Sequence, residues 1–201
     1  LVIGNRNYSS WSLRPWLWMR QRGLVFEEIR VPLFQDDTDA ALEGYFSGHK
    51  VPVLLHDERI VWDSLAILEY LNETYPHMQG WPEQVASRAL ARSITAEMHS
   101  SFHSLRHALP MNCRRPVGAI DISTDVQNDI DRILAIWTRC REQHRQHGPW
   151  LFGRQFTIAD AFYAPVAMRF HTYAVPVGPM IADYMESLIW EPAMQDWLAA
   201  A

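Results

Sequence analysis

Three short stretches hold side chains able to do chemistry. Ser9-Ser10-Trp11-Ser12 sets hydroxyls at the front of a helical run, Lys50-Val51-Pro52-Val53-Leu54 enters a short apolar strand, and Asp63-Ser64 opens a second helical run nine residues later. A Val-Pro bond prefers trans by only about 0.5–1 kcal/mol, so Val51-Pro52 can be cis. A turn of that kind leaves the N–H and C=O of Val51 open to an extended peptide, which would join as a strand at a sheet edge. Where a helix begins at Ser64, the hydroxyl and the unpaired backbone N–H groups can take a carboxylate. Asp63 beside it can hold an ammonium group. Carboxylate and ammonium on one carbon make the head of an amino acid, so the second and third stretches describe a site for a short peptide.

The elements that must position these residues follow from periodicity. Short strands over 1–4 and 25–31 flank a helix from about Ser12 to Arg22 that stops at Gly23, with Ser12 as its cap and Pro15 tolerated in the first turn. Val53 to Leu55 and Arg59 to Val61 flank His56-Asp57-Glu58 as a hairpin, and Leu65 to Tyr75 is helical. The order β-α-β, a short irregular piece, then β-β-α is a thioredoxin-like α/β pattern, placed at residues 1–75. Residues 76–82, with two prolines and a glycine, read as a linker. Beyond it, 83–201 reads as an all-helical domain. It begins with one long helix over 83–109. A second starts near Thr124, with Gln127 completing a capping box and Val126, Ile130, Ile133, Trp137 and Cys140 on one face. A third is capped by Thr157 and Asp160 and carries Pro165 in its interior, and two shorter helices span about 180–188 and 193–199.

Composition narrows the function. With 201 residues, 48% hydrophobic and 20% charged, the chain suits an ordinary globular protein. A net charge of -5 argues against a nucleic-acid binder, and Cys113 and Cys140 lack any zinc or C-x-x-C spacing, which suits a reduced, cytoplasmic setting. No apolar run is long enough for a membrane span, so no membrane partner is expected. His99, His103 and His107 recur every fourth residue, and adjacent pairs have ligand spacing, but all three cannot share one ion because successive members rise about 6 Å along a helix, and no acidic or thiol ligand stands nearby. No metal is expected.

These motifs, in this order and at these distances, resemble the cytosolic glutathione S-transferase family over nearly the whole chain. The matching parts are Ser9-Ser10-x-Ser12-x-Arg14, His49-Lys50-Val51-Pro52-Val53-Leu54, Asp63-Ser64-x-Ala66-Ile67 and Thr157-Ile158-Ala159-Asp160-Ala161. The serine motif partly resembles the zeta class, which includes maleylacetoacetate isomerases, although Trp11 stands where that class carries cysteine and Pro15-Trp16 departs from its continuation. The resemblance implies the two-domain fold of that family and a transferase that uses glutathione as co-substrate, with no further cofactor, to attack a small electrophile. It also implies a homodimer. Isomerase activity, or glutathione binding without turnover, are the alternatives.

Within that resemblance, an unassisted thiol with pKa near 8.5 is only about 3% thiolate at pH 7, and a hydroxyl at a helix N-terminus can donate to the charged form. Counting five residues back from Arg14 gives Ser9 as that donor, and counting four gives Ser10; both are carried as catalytic candidates. Trp11, His49, Lys50, Val51, Pro52, Asp63 and Ser64 are the candidate glutathione contacts, with His49 or Lys50, the only lysine, near the glycyl carboxylate. The resemblance puts a second-substrate pocket between the first domain and the long helix. Phe34, Phe102, Arg106 and Met111 are its candidates, together with Trp11.

Overall fold

In the computed structural model, which describes residues 1–201, four short strands make one mixed sheet in the order β2-β1-β3-β4. Strand β1 (Val2–Ile3) runs parallel to β2 (Ile29–Arg30) and antiparallel to β3 (Val53–His56), which pairs antiparallel with β4 (Arg59–Trp62). Alternation along the strands decides which face each residue covers. Val2 and Val53 pack with Val31 and Leu42 in a small cluster, while Ile3 and Leu54 join a continuous core of 45 residues that also holds most of the helical half. Because that core runs across both halves, they are packed together and are not beads on a string.

Helix α1 (Ser10–Gln21) links β1 to β2, α2 (Thr38–Leu42) follows β2, and α3 (Ser64–Thr74) follows the hairpin. After a short 3-10 turn at Pro76–Met78 come α4 (Val85–Ser100), α5 (His103–Ala108), α6 (Thr124–His144), α7 (Ile158–Thr172), α8 (Pro179–Ile189) and α9 (Pro192–Ala199). The architecture is a thioredoxin-like α/β unit followed by helices alone, as the motif order implies. No helix is long and apolar enough to cross a membrane.

Four local expectations are corrected. The segment expected as a strand over 25–31 pairs only at Ile29–Arg30, because β1 offers just two residues to pair with; Val25 is left exposed. The cap of α1 is Ser9, whose Oγ accepts from the Ser12 N–H, and Ser12 lies inside the helix with its own Oγ accepting from the Gly4 N–H at 3.1 Å. Ser123 caps α6, one residue earlier than expected, and the Gln127 amide donates to Asp131.

The largest correction is the long helix, which breaks at Ser101-Phe102. Phe102 takes a left-handed backbone conformation (φ 61°) and turns its ring into the core. Both sides of the break find distant partners for the backbone groups it frees. The Arg106 guanidinium donates to the Met98 and His99 carbonyls at the end of α4, and Asp129 of α6 accepts from the Leu105 N–H at the start of α5. With no glycine or proline there, periodicity alone runs straight through.

The expected face of α6 is buried as a unit, with Trp137 wholly enclosed. The expected reciprocal cap of α7 is formed, and the helix continues through Pro165. Asp160 does more than close that cap. Its carboxylate also accepts from the Leu151 N–H and the Tyr184 hydroxyl, joining the loop before α7 and helix α8 to the same point.

Candidate functional site

A cleft of about 830 Å³ opens between the front of α1, the segment after β2, the turn before β3 and the front of α3. Each expected motif reaches it, and each for a local reason. Gly4 at the end of β1 has no side chain, and a Cβ there would meet Leu33 Cδ1 at 2.5 Å and Val51 Cγ2 at 3.2 Å. That close approach brings Val51 against the end of β1. The Val51-Pro52 bond is cis. Ser47 Oγ braces the preceding turn by donating to the Lys50 carbonyl and accepting from the Lys50 N–H, so Lys50 is tied while the Val51 N–H and C=O have no partner within the chain.

Ser9 lies on the cleft wall, 6% exposed, at the N-terminal end of α1. Its Oγ is 2.8 Å from Ser12 Oγ. Since a hydroxyl can both donate and accept, Ser12 can turn its hydrogen toward Ser9 and release the Ser9 hydrogen to an acceptor in the cleft. Ser10 does not line the cleft. Its Oγ accepts from Arg169 of α7 at 3.2 Å, which makes it a joint between the two halves.

At the opposite end, Asp63 has a left-handed backbone (φ 72°), unusual for a residue with a side chain and held here by its neighbours. Its Oδ1 accepts from the Leu65 and Ala66 N–H groups, capping α3, while Oδ2 lies 3.3 Å from His99 Nε2 of α4. Burial lowers the His99 pKa, with Asp63 opposing the shift and Arg14 and Arg106 adding to it. Ser64 sits buried at the cleft floor, where its Oγ accepts from Arg14 at 3.3 Å and keeps its own hydrogen free to donate.

Arg14 was visible in the sequence only as a spacing mark. In the fold it lies 2% exposed beneath the cleft, its guanidinium 4.0 Å from the Trp11 ring and 4.4 Å from Phe162, and burial holds its pKa well below the usual arginine range. Arg106 stacks on Trp11 at 4.9 Å, and His99 meets the same ring edge-on. Trp11 is thus a wall held by two cations rather than a freely turning ring.

His49 and Lys50 both line the cleft, His49 3.6 Å from Asp39. Phe34 also lines it, 85% exposed. The other three second-substrate candidates do not. Phe102 and Met111 are core residues, 4% and 1% exposed, because the chain reversal after α4 turns them inward, and the Arg106 guanidinium is spent on the α4 carbonyls and Trp11. Sequence reasoning missed Tyr8, Trp62, Ser47 and most of the segment after β2 (Leu33, Gln35, Asp36, Thr38 and Asp39), which also line the cleft and carried no motif.

No thiol of the chain competes for nucleophilic work. Burial pushes the Cys113 thiol up to about 11 and the Cys140 thiol to about 12, and an unionised thiol is a poor nucleophile. The break after α4 separates His99 from His103 and His107, and no group of three His, Cys, Asp or Glu side chains is arranged to hold a metal ion.

Comparison with known proteins gives two family matches, the glutathione S-transferase N-terminal domain over residues 8–74 and the glutathione S-transferase C-terminal domain over residues 96–200. A probable maleylacetoacetate isomerase of Caenorhabditis elegans is 29% identical over 174 residues, covering 87% of this chain and 79% of that protein. Glutathione S-transferase 1 of Dianthus caryophyllus is 28% identical over 159 residues, covering 78% and 70%. Among solved structures, a glutathione transferase homolog from a Burkholderia, with bound glutathione, superposes with a TM-score of 0.72 at 25% identity, covering 98% of this chain and 95% of that one.

Proposed function

The chain belongs to the glutathione S-transferase family, and from that premise we propose that the cleft binds glutathione extended along its floor and presents its sulfur, as thiolate, to a small electrophile. The observation that carries this reading is the presence in one cleft of an unpaired Val51 backbone, the Asp63-Ser64 helix start and the Ser9 hydroxyl. The cysteinyl residue pairs with the Val51 N–H and C=O. The γ-glutamyl carboxylate takes the Ser64 hydroxyl and the first N–H groups of α3, its ammonium faces Asp63, and the glycyl carboxylate lies toward His49 and Lys50. Pro52 shapes the turn and Trp11 walls the sulfur. In the reaction the thiolate forms a carbon–sulfur bond and the electrophile's leaving group departs with the electron pair of the bond that breaks.

Asp63→Asn separates charge from capping. The amide oxygen can still accept from Leu65 and Ala66, but the ammonium loses its counter-charge. Steady-state kinetics should show KM for glutathione raised about tenfold, equivalent to about 1.4 kcal/mol, with the pH dependence of kcat unchanged.

The reading includes several finer points. Phe34 and Trp11 flank the electrophile. The protein acts in the cytoplasm and uses no cofactor beyond glutathione. Its domains are 1–75 and 83–201, joined by 76–82. It works as a homodimer, for which the edge strand β4 and the exposed, edge-stacked pair Phe46 and Trp62 supply an apolar surface. A second reading, glutathione-dependent isomerisation, is favoured by the name of the Caenorhabditis elegans relative and would use the same thiolate.

Ultraviolet absorbance of the thiolate, titrated against pH with glutathione bound, tests the central claim. A saturable signal well below pH 8 supports thiolate activation. Binding with no shift from the free thiol would make this a glutathione-binding protein without the transferase mechanism.

A further inference from the structure

Ser9 and Ser12 share one short contact, their Oγ atoms 2.8 Å apart, and either hydroxyl could donate across it. The surroundings decide which one does. Ser12 Oγ accepts from the Gly4 N–H at 3.1 Å, and apart from that donor it meets only Ser9 Oγ. Ser12 is wholly buried. Were Ser9 the donor, the Ser12 hydrogen would be left in the interior with no acceptor and would lose its hydration for nothing. With Ser12 donating, the Gly4 N–H, the Ser12 hydroxyl and Ser9 Oγ are satisfied in series.

A hydroxyl oxygen offers two lone pairs and one hydrogen. At Ser9 both lone pairs are then taken, by the Ser12 hydroxyl and by the Ser12 N–H at 3.4 Å, and only its own hydrogen remains for the cleft. Such a group can donate to a thiolate but cannot accept from an S–H, so it favours the ionised sulfur over the neutral one. The series is also anchored at both ends. The Val31 N–H donates to the Ile3 carbonyl at 2.9 Å, which pins in the sheet the same peptide unit that carries the Gly4 N–H. At the other end the Ser9 N–H donates to the Asn5 carbonyl at 2.8 Å. Arg14 and Arg169 bond instead to Ser64 and Ser10, and no charged side chain hydrogen-bonds to the Ser9 or Ser12 hydroxyl.

We propose that Ser12 is a positioning residue for the thiolate, carrying the polarity of the Gly4 peptide to Ser9 and making Ser9 a donor only. This role rests on the cleft being a glutathione site, and it adds the residue that fixes which way the Ser9 hydroxyl acts. Bonds in such a series strengthen one another by about 10–30% each, so of a thiol pKa lowered by about two units through Ser9, Ser12 accounts for about half a unit. Half a unit is about a threefold change in the thiolate-to-thiol ratio.

Thiolate absorbance of bound glutathione, titrated against pH in the full chain, tests this in the wild type, Ser12→Ala, Ser9→Ala and the double variant. Ser12→Ala should raise the apparent thiol pKa by about half a unit. In the Ser9→Ala background the same substitution should leave the pKa where it is, because Ser12 then has nothing to act through. Ser12→Thr keeps the hydroxyl and should titrate as the wild type does. Should Ser12→Ala fail to fold, Ser12→Thr decides, a titration moved toward that of Ser9→Ala counting against the role and an unmoved one for it. A shift of equal size in both backgrounds overturns the proposal, since Ser12 would then act on the sulfur without Ser9. A lowered wild-type pKa that Ser9→Ala raises and Ser12→Ala leaves unchanged overturns the role of Ser12 alone. A wild type with no thiolate signal below pH 8 overturns the reading of the cleft, and this role with it.

Discussion

Ser9→Ala should move the acid limb of the kcat/KM profile up by about two pH units, a change in thiolate stabilisation of about 2.7 kcal/mol. Ser9 is the hydroxyl on the cleft wall at the helix start, and Ser12 behind it can take up the other half of the hydrogen-bond pair. With the donor, a bound thiol brought to a pKa near 6.5 is roughly three-quarters thiolate at pH 7; without it, about 3%. The thiolate fraction thus falls about 25-fold. A thiolate of higher pKa is intrinsically more nucleophilic, which offsets part of the loss and leaves a rate deficit at pH 7 on the order of tenfold or less. The sign gives a second check. Both proteins approach full ionisation as pH rises, so the deficit should close toward pH 9. Ser10→Ala should leave the acid limb in place, because that hydroxyl faces Arg169 and not the cleft. A profile moved by Ser10→Ala and untouched by Ser9→Ala would reverse the assignment.

Asp160→Ala should cost about 3–5 kcal/mol of folding stability, because it leaves several buried donors without an acceptor, at about 1–3 kcal/mol for each one left unsatisfied. The carboxylate is fully buried and serves the Thr157 N–H and hydroxyl, the Leu151 N–H and the Tyr184 hydroxyl. Burial raises its pKa, with these donors opposing the rise. Alanine strands those donors where water does not reach. For a chain of this size the loss lowers Tm by roughly 6–20 °C. Asp160→Asn keeps the shape but presents an NH2 group toward groups that also donate, and should recover only part of the loss. Chemical denaturation of the three proteins side by side decides it; a change below about 1 kcal/mol would mean the site is satisfied in some other way. Thr157→Ala, which removes only the cap hydroxyl, sets the scale at about 1 kcal/mol.

Much of the site was legible because its residues act where they stand in the chain. A serine before a helix caps it, a proline after Val51 turns the strand, and Asp63-Ser64 opens α3; each role depends on neighbours within four residues. Periods of two and of about 3.6 likewise carry the strand-helix order and the buried face of α6. Local reading failed where two local solutions were equally good. Ser9 and Ser12 can each cap α1, and Ser123 and Thr124 can each cap α6. In each pair the choice came from backbone conformation and from what the other side chain could reach.

What the sequence by itself determined here is the family, the order of elements and the three motif stretches that line the cleft, since these rest on short-range backbone chemistry. The tertiary structure alone decided which serine faces the cleft, that Arg14 braces Ser64 and Trp11, that His99 reaches Asp63, and that Phe102 and Met111 belong to the core. The break after α4 shows the reason. Arg106 and Asp129 satisfy the backbone groups on its two sides, and the latter lies on a helix 24 residues from the N–H it accepts. Where hydrogen bonds freed by one segment are met by another far along the chain, periodicity within the segment holds no record of it.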